Sequence, residues 1–111
     1  MHPTPGKSLR LHFSEQDRYE GKRLYEEIVR VCHEQAVAGV TVLRGIEGFG
    51  ESAEMHRGHL FVRDQPIIVN IVDTQESIER LLKVLEPIVD TGLMAISDVE
   101  IRRIQKTTGD G

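Results

Sequence analysis

The chain has 111 residues, which is the length of a single domain. Hydrophobic residues make up 39% of it and charged residues 29%, a globular balance that argues against disorder. With 14 basic and 18 acidic residues the net charge is −4, and tryptophan is absent, so overall charge does not favour nonspecific binding to nucleic acid or to a membrane surface.

Cysteine content and the first residues bear on the compartment. Cys32 is the single cysteine, which excludes a disulfide within the chain. The first seven residues lack the apolar segment of a signal peptide. No apolar run approaches the ~20 residues that cross a bilayer. We therefore expect a cytoplasmic protein without direct membrane insertion.

The first half of the chain predicts a strand, a helix and a second strand. Residues 1–6 contain two prolines and a glycine and predict a flexible arm, before a domain over residues 7–105 and a flexible tail at 106–111. Alternation places Leu9, Leu11 and Phe13 on one face of a strand. Apolar residues at helical spacing predict a helix from Leu24 to Ala36, which Gly39 would end as a left-handed cap. The β-branched segment Val40–Ile46 predicts a central strand.

The second half repeats this order after a long connection at residues 47–65. Pro66 opens a second predicted central strand, Ile67–Val72. Asp73 and Glu76 predict a capping box for a second helix, which Pro87 and the turn after it would end. Leu93–Ile104 is the last predicted strand. The order βαββαβ predicts an α+β, ferredoxin-like sandwich, with a four-stranded antiparallel sheet and two helices on one face. Oligomerisation is the usual way to protect the other face.

The connection at residues 47–65 is long for a compact domain and is therefore a candidate functional segment. Three glycines and three cations lie in or beside it: Gly45, Gly48 and Gly50, and Arg44, Arg57 and Arg63. The glycines would allow backbone N–H groups to approach an anion, and the arginines would donate charge-assisted hydrogen bonds. Alternatively the glycines only shape a turn and Phe49 fills the core. The residues by themselves leave both interpretations open.

Several motifs resemble a known family when they are taken in order. Asp17–Tyr25 has the form D-x-Y-x-G-K-x-L-Y, and Val42–Gly50 has the form V-x-R-G-I-x-G-F-G. Ala38–Gly50 is similar to the second strand and following loop of PII signalling proteins. Further matches lie at His56-Arg57 and at Asp98–Glu100. Taken together, these motifs resemble those of the PII-like family called domain of unknown function 190, over roughly residues 7–105.

The resemblance implies a signalling or regulatory protein that works by binding and is not an enzyme. It implies a homotrimer with the helices outside, in which a T-loop at residues 47–65 meets a partner. A membrane transporter or another regulated protein is the implied partner, and nucleic acid is not. No cofactor is expected, but an adenine nucleotide is the candidate ligand, in clefts between subunits beside the loop root. The implied ligand-binding residues are Arg44, Gly45, Gly48, Phe49, Gly50, His56, Arg57 and Arg103.

The sequence also departs from nucleotide-binding PII proteins. Glu51-Ser52 stands where they have Arg-Gln, and Thr91–Met94 replaces their G-D-G-K loop. Nucleotide-binding PII proteins carry the motif R-I-R-T-G near their end, and this chain retains one arginine of that motif, at Arg103. A triphosphate would therefore meet little positive charge, whereas a smaller adenylate or another small anion remains a candidate.

Metal binding and catalysis are the alternatives. His56 and His59 could hold a divalent metal, as in CutA-like trimers of the same fold, but no third ligand is defined and we assign no metal residue. The acidic residues Asp17, Glu20, Glu26 and Glu27 fall on a turn and a helix face, so no catalytic residue is assigned. Cys32 lies on the apolar face of the first helix and is predicted to be a small buried hydrophobe.

Overall fold

The computed structural model describes residues 2–46 and 65–104, and the backbone of residues 55–56 and 59–60. The elements in these residues are β1 (Thr4–Ser14), β2 (Arg18–Tyr19), β3 (Lys22–Arg23), α1 (Leu24–Glu34), β4 (Gly39–Arg44), β5 (Met55–His56), β6 (His59–Leu60), β7 (Pro66–Asp73), α2 (Gln75–Leu85) and β8 (Leu93–Ile101). Neither α1 nor α2 is long and apolar enough to span a membrane, and these are the helices of the described part of the chain.

The main sheet has the strand order β4-β7-β1-β8, with every neighbouring pair antiparallel. β2 pairs with β3 and β5 pairs with β6 in two separate two-stranded hairpins. The predicted ferredoxin-like sandwich is therefore confirmed. The prediction that Val40–Ile46 is a central strand is wrong, because β4 lies at the sheet edge. Val40 and Val42 pack against the core, whereas Thr41 and Leu43 on the other face are exposed. A β-branched composition reports packing on one face and does not distinguish an edge from a centre.

Alternating residues of the two central strands form the core with the helices. The buried strand residues are Leu9, Leu11, Phe13, Ile67, Val69 and Ile71, and the buried helix residues are Leu24, Ile28, Val31, Cys32, Ile78, Leu81 and Leu85. Cys32 is fully buried, as predicted, and burial raises the pKa of its thiol to about 11. Because a strand alternates its faces, the same pattern leaves the other face of the sheet without helices.

Three rows of side chains cross this uncovered face, which we call the open face. Residues directly opposite on neighbouring strands share a face. The rows, each written from β4 to β8, are Gly39, Val72, Ser8 and Ser97; Thr41, Asn70, Arg10 and Ala95; and Leu43, Ile68, His12 and Leu93. The last row is apolar apart from His12, and its two edge leucines are about half exposed. The sheet therefore presents apolar side chains to its surroundings on this face.

The start of β1 differs from the prediction. Thr4–Gly6 belong to the strand and pair with Val99–Ile101 of β8, so the expectation of a flexible arm over residues 1–6 is wrong for this part. Since β7 pairs with β1 only from Lys7 onward, Pro5 has a neighbouring strand on one side alone. A proline is tolerated at such a position because its missing N–H removes no ladder bond on the free side.

The end of α1 is also displaced from the predicted cap. Ala36, and not Gly39, adopts the left-handed conformation, with φ 55°. Its N–H donates to the carbonyl of His33 (3.1 Å), and the N–H of Val37 donates to the carbonyl of Cys32 (3.2 Å). These two bonds form a Schellman motif. Gly39 is instead the first residue of β4.

The capping box predicted at Asp73 and Glu76 is wrong by one residue. Thr74 is the N-cap of α2, and its hydroxyl accepts from the N–H of Ser77 (3.2 Å). The carboxylate of Asp73 is used elsewhere, because it accepts from the backbone N–H groups of Ala38 (2.8 Å) and Thr74 (2.7 Å). It therefore ties the α1–β4 connection to the start of α2.

Candidate functional site

One end of the main sheet collects the residues of interest, and we call it the loop end. β4 finishes there with Arg44, opposite Ile67 near the start of β7. Ile67 in turn lies opposite Phe13 near the finish of β1, and the first residue of β8, Leu93, lies opposite His12. The connection at residues 47–65 leaves and re-enters the sheet at this end.

Backbone hydrogen bonds close the root of that connection. The N–H of Gly45 donates to the carbonyl of Pro66 (2.8 Å), and the N–H of Glu15 donates to the carbonyl of Gln65 (2.9 Å). A β-carbon on Gly45 would lie 2.7 Å from the ring of Pro66, so this approach requires glycine. Both ends of the connection are thus fixed to the sheet.

A carboxylate shared by two arginines lies at the same place. Oε2 of Glu15 accepts from Nη2 of Arg44 (2.7 Å) and from Nη1 of Arg23 (3.2 Å). The Glu15 side chain is 17% exposed, whereas those of Arg44 and Arg23 are 49% and 37% exposed. A largely buried anion therefore holds two cations that still face solvent.

The turn after β1 positions this cluster. The carboxylate of Asp17 accepts from the N–H of Ser14 (2.8 Å), and the N–H of Asp17 donates back to the carbonyl of Ser14 (3.0 Å). The carbonyl of Asp17 then accepts from the N–H of Leu24 at the start of α1 (2.9 Å). Such a side-chain-closed turn is typical of aspartate. The turn places Glu15 beside the loop root, and the β2-β3 hairpin returns the chain to Arg23.

A cleft of about 280 Å³ opens where the chain enters β8. Its lining residues are Leu11, Phe13, Val89, Asp90, Thr91, Gly92, Leu93 and Met94. None of these is a cation, in keeping with the sequence-based expectation that this segment offers little to a polyphosphate. Gly92 has φ +98° and lies against the carbonyl of His12, which fixes the shape of the cleft floor.

The predicted ligand-binding residues have different outcomes. Arg44 lies at the loop end, half exposed, as a ligand-binding cation would. Gly45 also lies there, and its N–H donates to the carbonyl of Pro66, so a contact between Gly45 and a ligand stays a prediction. Gly48, Phe49, Gly50, Arg57 and the side chain of His56 lie outside the described residues, and these predictions stay open.

Arg103 is separated from Arg44 within one chain. β8 starts at the loop end and runs for nine residues, about 27 Å at ~3.4 Å per residue, so Arg103 follows it at the opposite end of the sheet. A single site containing both arginines would need two copies of the chain.

Glu15 and Arg23 were missed by the sequence interpretation, which placed Glu15 in a polar turn and Arg23 on the polar face of the first helix. Arg23 and Glu15 are eight residues apart, and Arg44 and Glu15 are 29 apart. The available signal was the position of Glu15 directly after the first strand, which becomes informative only once the strand order puts the end of β1 near the end of β4.

The metal hypothesis is neither supported nor contradicted by side-chain geometry. In the β5-β6 hairpin the backbone register places His56 opposite His59. Among the other residues with described side chains, no group of three or more histidine, cysteine or acidic residues could hold a metal ion.

Comparison with known proteins places these features in a family context. The DUF190 family model, described as uncharacterized ACR, matches residues 6–101. A UPF0166 protein of Aquifex aeolicus is 35% identical over 103 residues, covering 91% of this chain and 97% of that protein. A UPF0166 protein of Methanocaldococcus jannaschii is also 35% identical, over 98 residues, covering 86% of this chain and 90% of its own.

Solved structures of similar fold include CPII from Thiomonas intermedia K12, a nitrogen regulatory PII-like protein. Its complex with ADP, AMP and acetate aligns with a TM-score of 0.66 at 17% identity, covering 93% of this chain and 94% of CPII. Its complex with ADP and bicarbonate gives a TM-score of 0.66 at 21% identity, with 92% and 93% covered. At these identities the likeness concerns the fold.

Proposed function

Since this chain belongs to the DUF190 family and shares the fold of PII-like proteins, we propose that it is a regulatory protein that binds a small anionic ligand at the loop end. An adenine nucleotide is the first candidate. The observation that carries the proposal is the loop root itself, where Arg44 stands half exposed beside backbone bonds that close residues 47–65. A ligand that binds Arg44 would act directly on the segment that a partner contacts. Binding would then change the partner contact, which is a common form of conformational switch.

The choice of an adenine nucleotide is supported by the similarity to CPII, which has been solved with ADP and with AMP. In this chain the cleft before β8 is lined by no cation, and Arg44 is a half-exposed cation directly before Gly45 at the loop root. Fewer cations favour fewer phosphates. We therefore expect AMP or ADP to bind more tightly than ATP.

Isothermal titration of the whole protein with AMP, ADP, ATP, cyclic AMP and cyclic dinucleotides tests this proposal. Arg44→Ala removes a charge-assisted hydrogen bond and is expected to lower the affinity for the nucleotide about tenfold or more. Arg80→Ala is the matched control, because Arg80 is an exposed arginine of α2 whose described bond goes to Ser77. If none of these compounds gives a heat of binding, the proposal that the protein senses nucleotides is rejected.

We also propose that the protein is a homotrimer assembled through the open face. The apolar row of Leu43, Ile68 and Leu93 on that face supports this, since an uncovered apolar sheet face is usually protected by association. Light scattering should give three times the 12.6 kDa of one chain. Leu93→Glu should shift the mass toward one chain, and Gln75→Glu, the same charge change on exposed α2, should not. A monomeric wild type contradicts the trimer.

The partner contact is assigned to residues 47–65, and a membrane transporter or another regulated protein is the proposed partner. A variant with residues 51–63 replaced by a short Gly-Ser linker keeps the described root. It should lose the protein that co-purifies with the tagged wild type, and its affinity for nucleotide measures what His56 and Arg57, which the replacement also removes, contribute to ligand binding. If the same partners co-purify with both, this loop does not make the contact.

Divalent-metal binding is the second candidate function, favoured by the register that sets His56 opposite His59. Titration with Zn²⁺ or Cu²⁺ should show one site per chain that is lost in the His56→Ala/His59→Ala variant. Unchanged uptake in that variant eliminates the candidate.

A further inference from the structure

We propose that Arg23 and Arg44 form an oxyanion subsite whose resident occupant is the Glu15 carboxylate, and that a phosphate group of the ligand competes with this carboxylate. The subsite rests on the proposed function and extends it, because it adds a second cation and an internal competitor to the loop end.

The geometry of the two arginines supports the subsite. Nη2 of Arg44 and Nη1 of Arg23 both lie within 3.2 Å of one oxygen of Glu15, hence within about 6 Å of each other. Two guanidinium groups at that separation can grip different oxygens of one phosphate. Each guanidinium carries five N–H donors and uses a single nitrogen on Glu15, so donor capacity remains for a ligand.

Exposure shows which partner a ligand can reach. The Glu15 side chain is 17% exposed, whereas the side chains of Arg23 and Arg44 that contact it are 37% and 49% exposed. An arriving anion meets the guanidinium groups first. The Glu15 carboxylate offsets one of the two positive charges and repels the newcomer, so the two anions compete for the same donors.

Displacement of the Glu15 carboxylate would affect the 47–65 connection, because Glu15 is bonded to both of its ends. The side chain of Glu15 holds Arg44, where β4 ends, while its N–H holds the carbonyl of Gln65, where the connection returns. One residue therefore links both ends of the 47–65 connection. A phosphate that takes Arg44 from Glu15 removes the side-chain half of this link and leaves the backbone half.

The competition can be measured with inorganic phosphate as the probe, by NMR shift titration of the full-length protein at constant ionic strength. Glu15→Gln keeps the shape and an acceptor oxygen but removes the competing charge. We expect it to bind phosphate about tenfold more tightly or better than the wild type, because a charge-assisted bond no longer has to be broken. Glu26→Gln, an exposed acid of α1, is the control for net charge and should behave as the wild type.

Arg23 is tested in the Glu15→Gln background. Adding Arg23→Gln should weaken phosphate binding about tenfold, whereas adding Lys22→Gln, the exposed neighbour on β3, should have little effect. Equal loss from both substitutions would show a general charge effect and overturn the subsite.

The outcomes separate this inference from the proposed function. Equal or weaker phosphate binding by Glu15→Gln, or no binding by either protein, overturns the subsite, while nucleotide heat in the wild type would keep the proposed function. Tighter phosphate binding without heat from any nucleotide supports the subsite and rejects nucleotide sensing. A parallel gain for AMP but not for adenosine supports both.

Discussion

A β-carbon on Gly92 would lie 2.2 Å from the carbonyl oxygen of His12, closer than any tolerated contact. The residue also has φ +98°, a conformation that side chains rarely adopt. The entry into β8 is therefore pressed against the backbone of β1. This contact fixes both the cleft at the loop end and the position of Leu93 on the open face.

The first prediction compares two glycines to separate this clash from backbone strain. Gly92→Ala should lower the free energy of unfolding by about 2–4 kcal/mol, through left-handed strain plus displacement of the His12 backbone. Gly21→Ala should cost only about 1 kcal/mol, because Gly21 has φ +84° but open space around it. Urea unfolding at matched protein concentration measures both. Equal losses would show that the clash relaxes without cost.

The second prediction concerns the Schellman motif that ends α1. Ala36 adopts φ 55°, which costs an alanine about 1 kcal/mol, and a glycine there avoids this strain. Ala36→Gly should therefore raise the free energy of unfolding by up to about 1 kcal/mol, although the unfolded chain gains entropy. Ala38→Gly, in the same connection, should not stabilise. Thermal unfolding of the Ala36→Gly and Ala38→Gly variants tests this prediction. An Ala36→Gly variant that is less stable than the wild type contradicts the assignment of Ala36 to the left-handed cap position.

The third prediction addresses Asp73, whose carboxylate joins two connections. Asp73→Ala leaves the N–H groups of Ala38 and Thr74 without their acceptors and should cost about 2–4 kcal/mol. Thr74→Ala removes the N-cap bond from the N–H of Ser77 and the bond from the Thr74 hydroxyl to Oγ of Ser77, and should cost about 1 kcal/mol. If the two variants unfold at the same urea concentration, the bond to Ala38 contributes nothing.

The fourth prediction uses pH and a charged pair on α1. Arg30 forms a two-point contact with Glu27, with Nη2–Oε2 and Nε–Oε1 distances of 2.5 and 3.1 Å. The hydrogen bond from Arg30 lowers the pKa of Glu27 below its ordinary value, against the opposing effect of burial. The folded state therefore favours the ionised carboxylate. Its stabilisation is complete above the ordinary pKa of an unfolded glutamate and is lost as the pH falls through the lower pKa of the folded state.

Glu27→Gln should consequently be less stable than the wild type at neutral pH, and the difference should shrink as the pH is lowered from 5 to about 3. Glu26→Gln changes an exposed acid of the same turn and should show no such pH-dependent difference. Denaturant curves at several pH values check this. A difference that grows on acidification would mean that Arg30 does not favour the ionised form of Glu27.

The sequence predicted most of the elements because local periodicity encodes them. Leu9, Leu11 and Phe13 alternate and are buried on one strand face, and Ile78, Leu81 and Leu85 recur at helical spacing and are buried together. The ends of the elements depend on more than local periodicity. Residue preference favours Gly39 as the cap of α1, but the left-handed residue is Ala36, and Gly39 is already the first residue of β4.

The candidate site was predicted only in part, for a reason of distance along the chain. Arg44 was identified from its place beside the glycines, whereas Glu15 and Arg23 carry no local signal that connects them with it. Their contacts join residues 29 and eight positions apart.

The amino-acid pattern alone determined the βαββαβ order, the apolar faces and the motifs that mark the family, since each depends on neighbouring residues. Only the tertiary structure decided that β4 is an edge strand, that Arg103 stands at the far end of β8 from Arg44, and that Glu15 lies between two arginines. Strand order sets these relationships, and strand order follows from the packing of whole elements, which no short stretch of sequence contains.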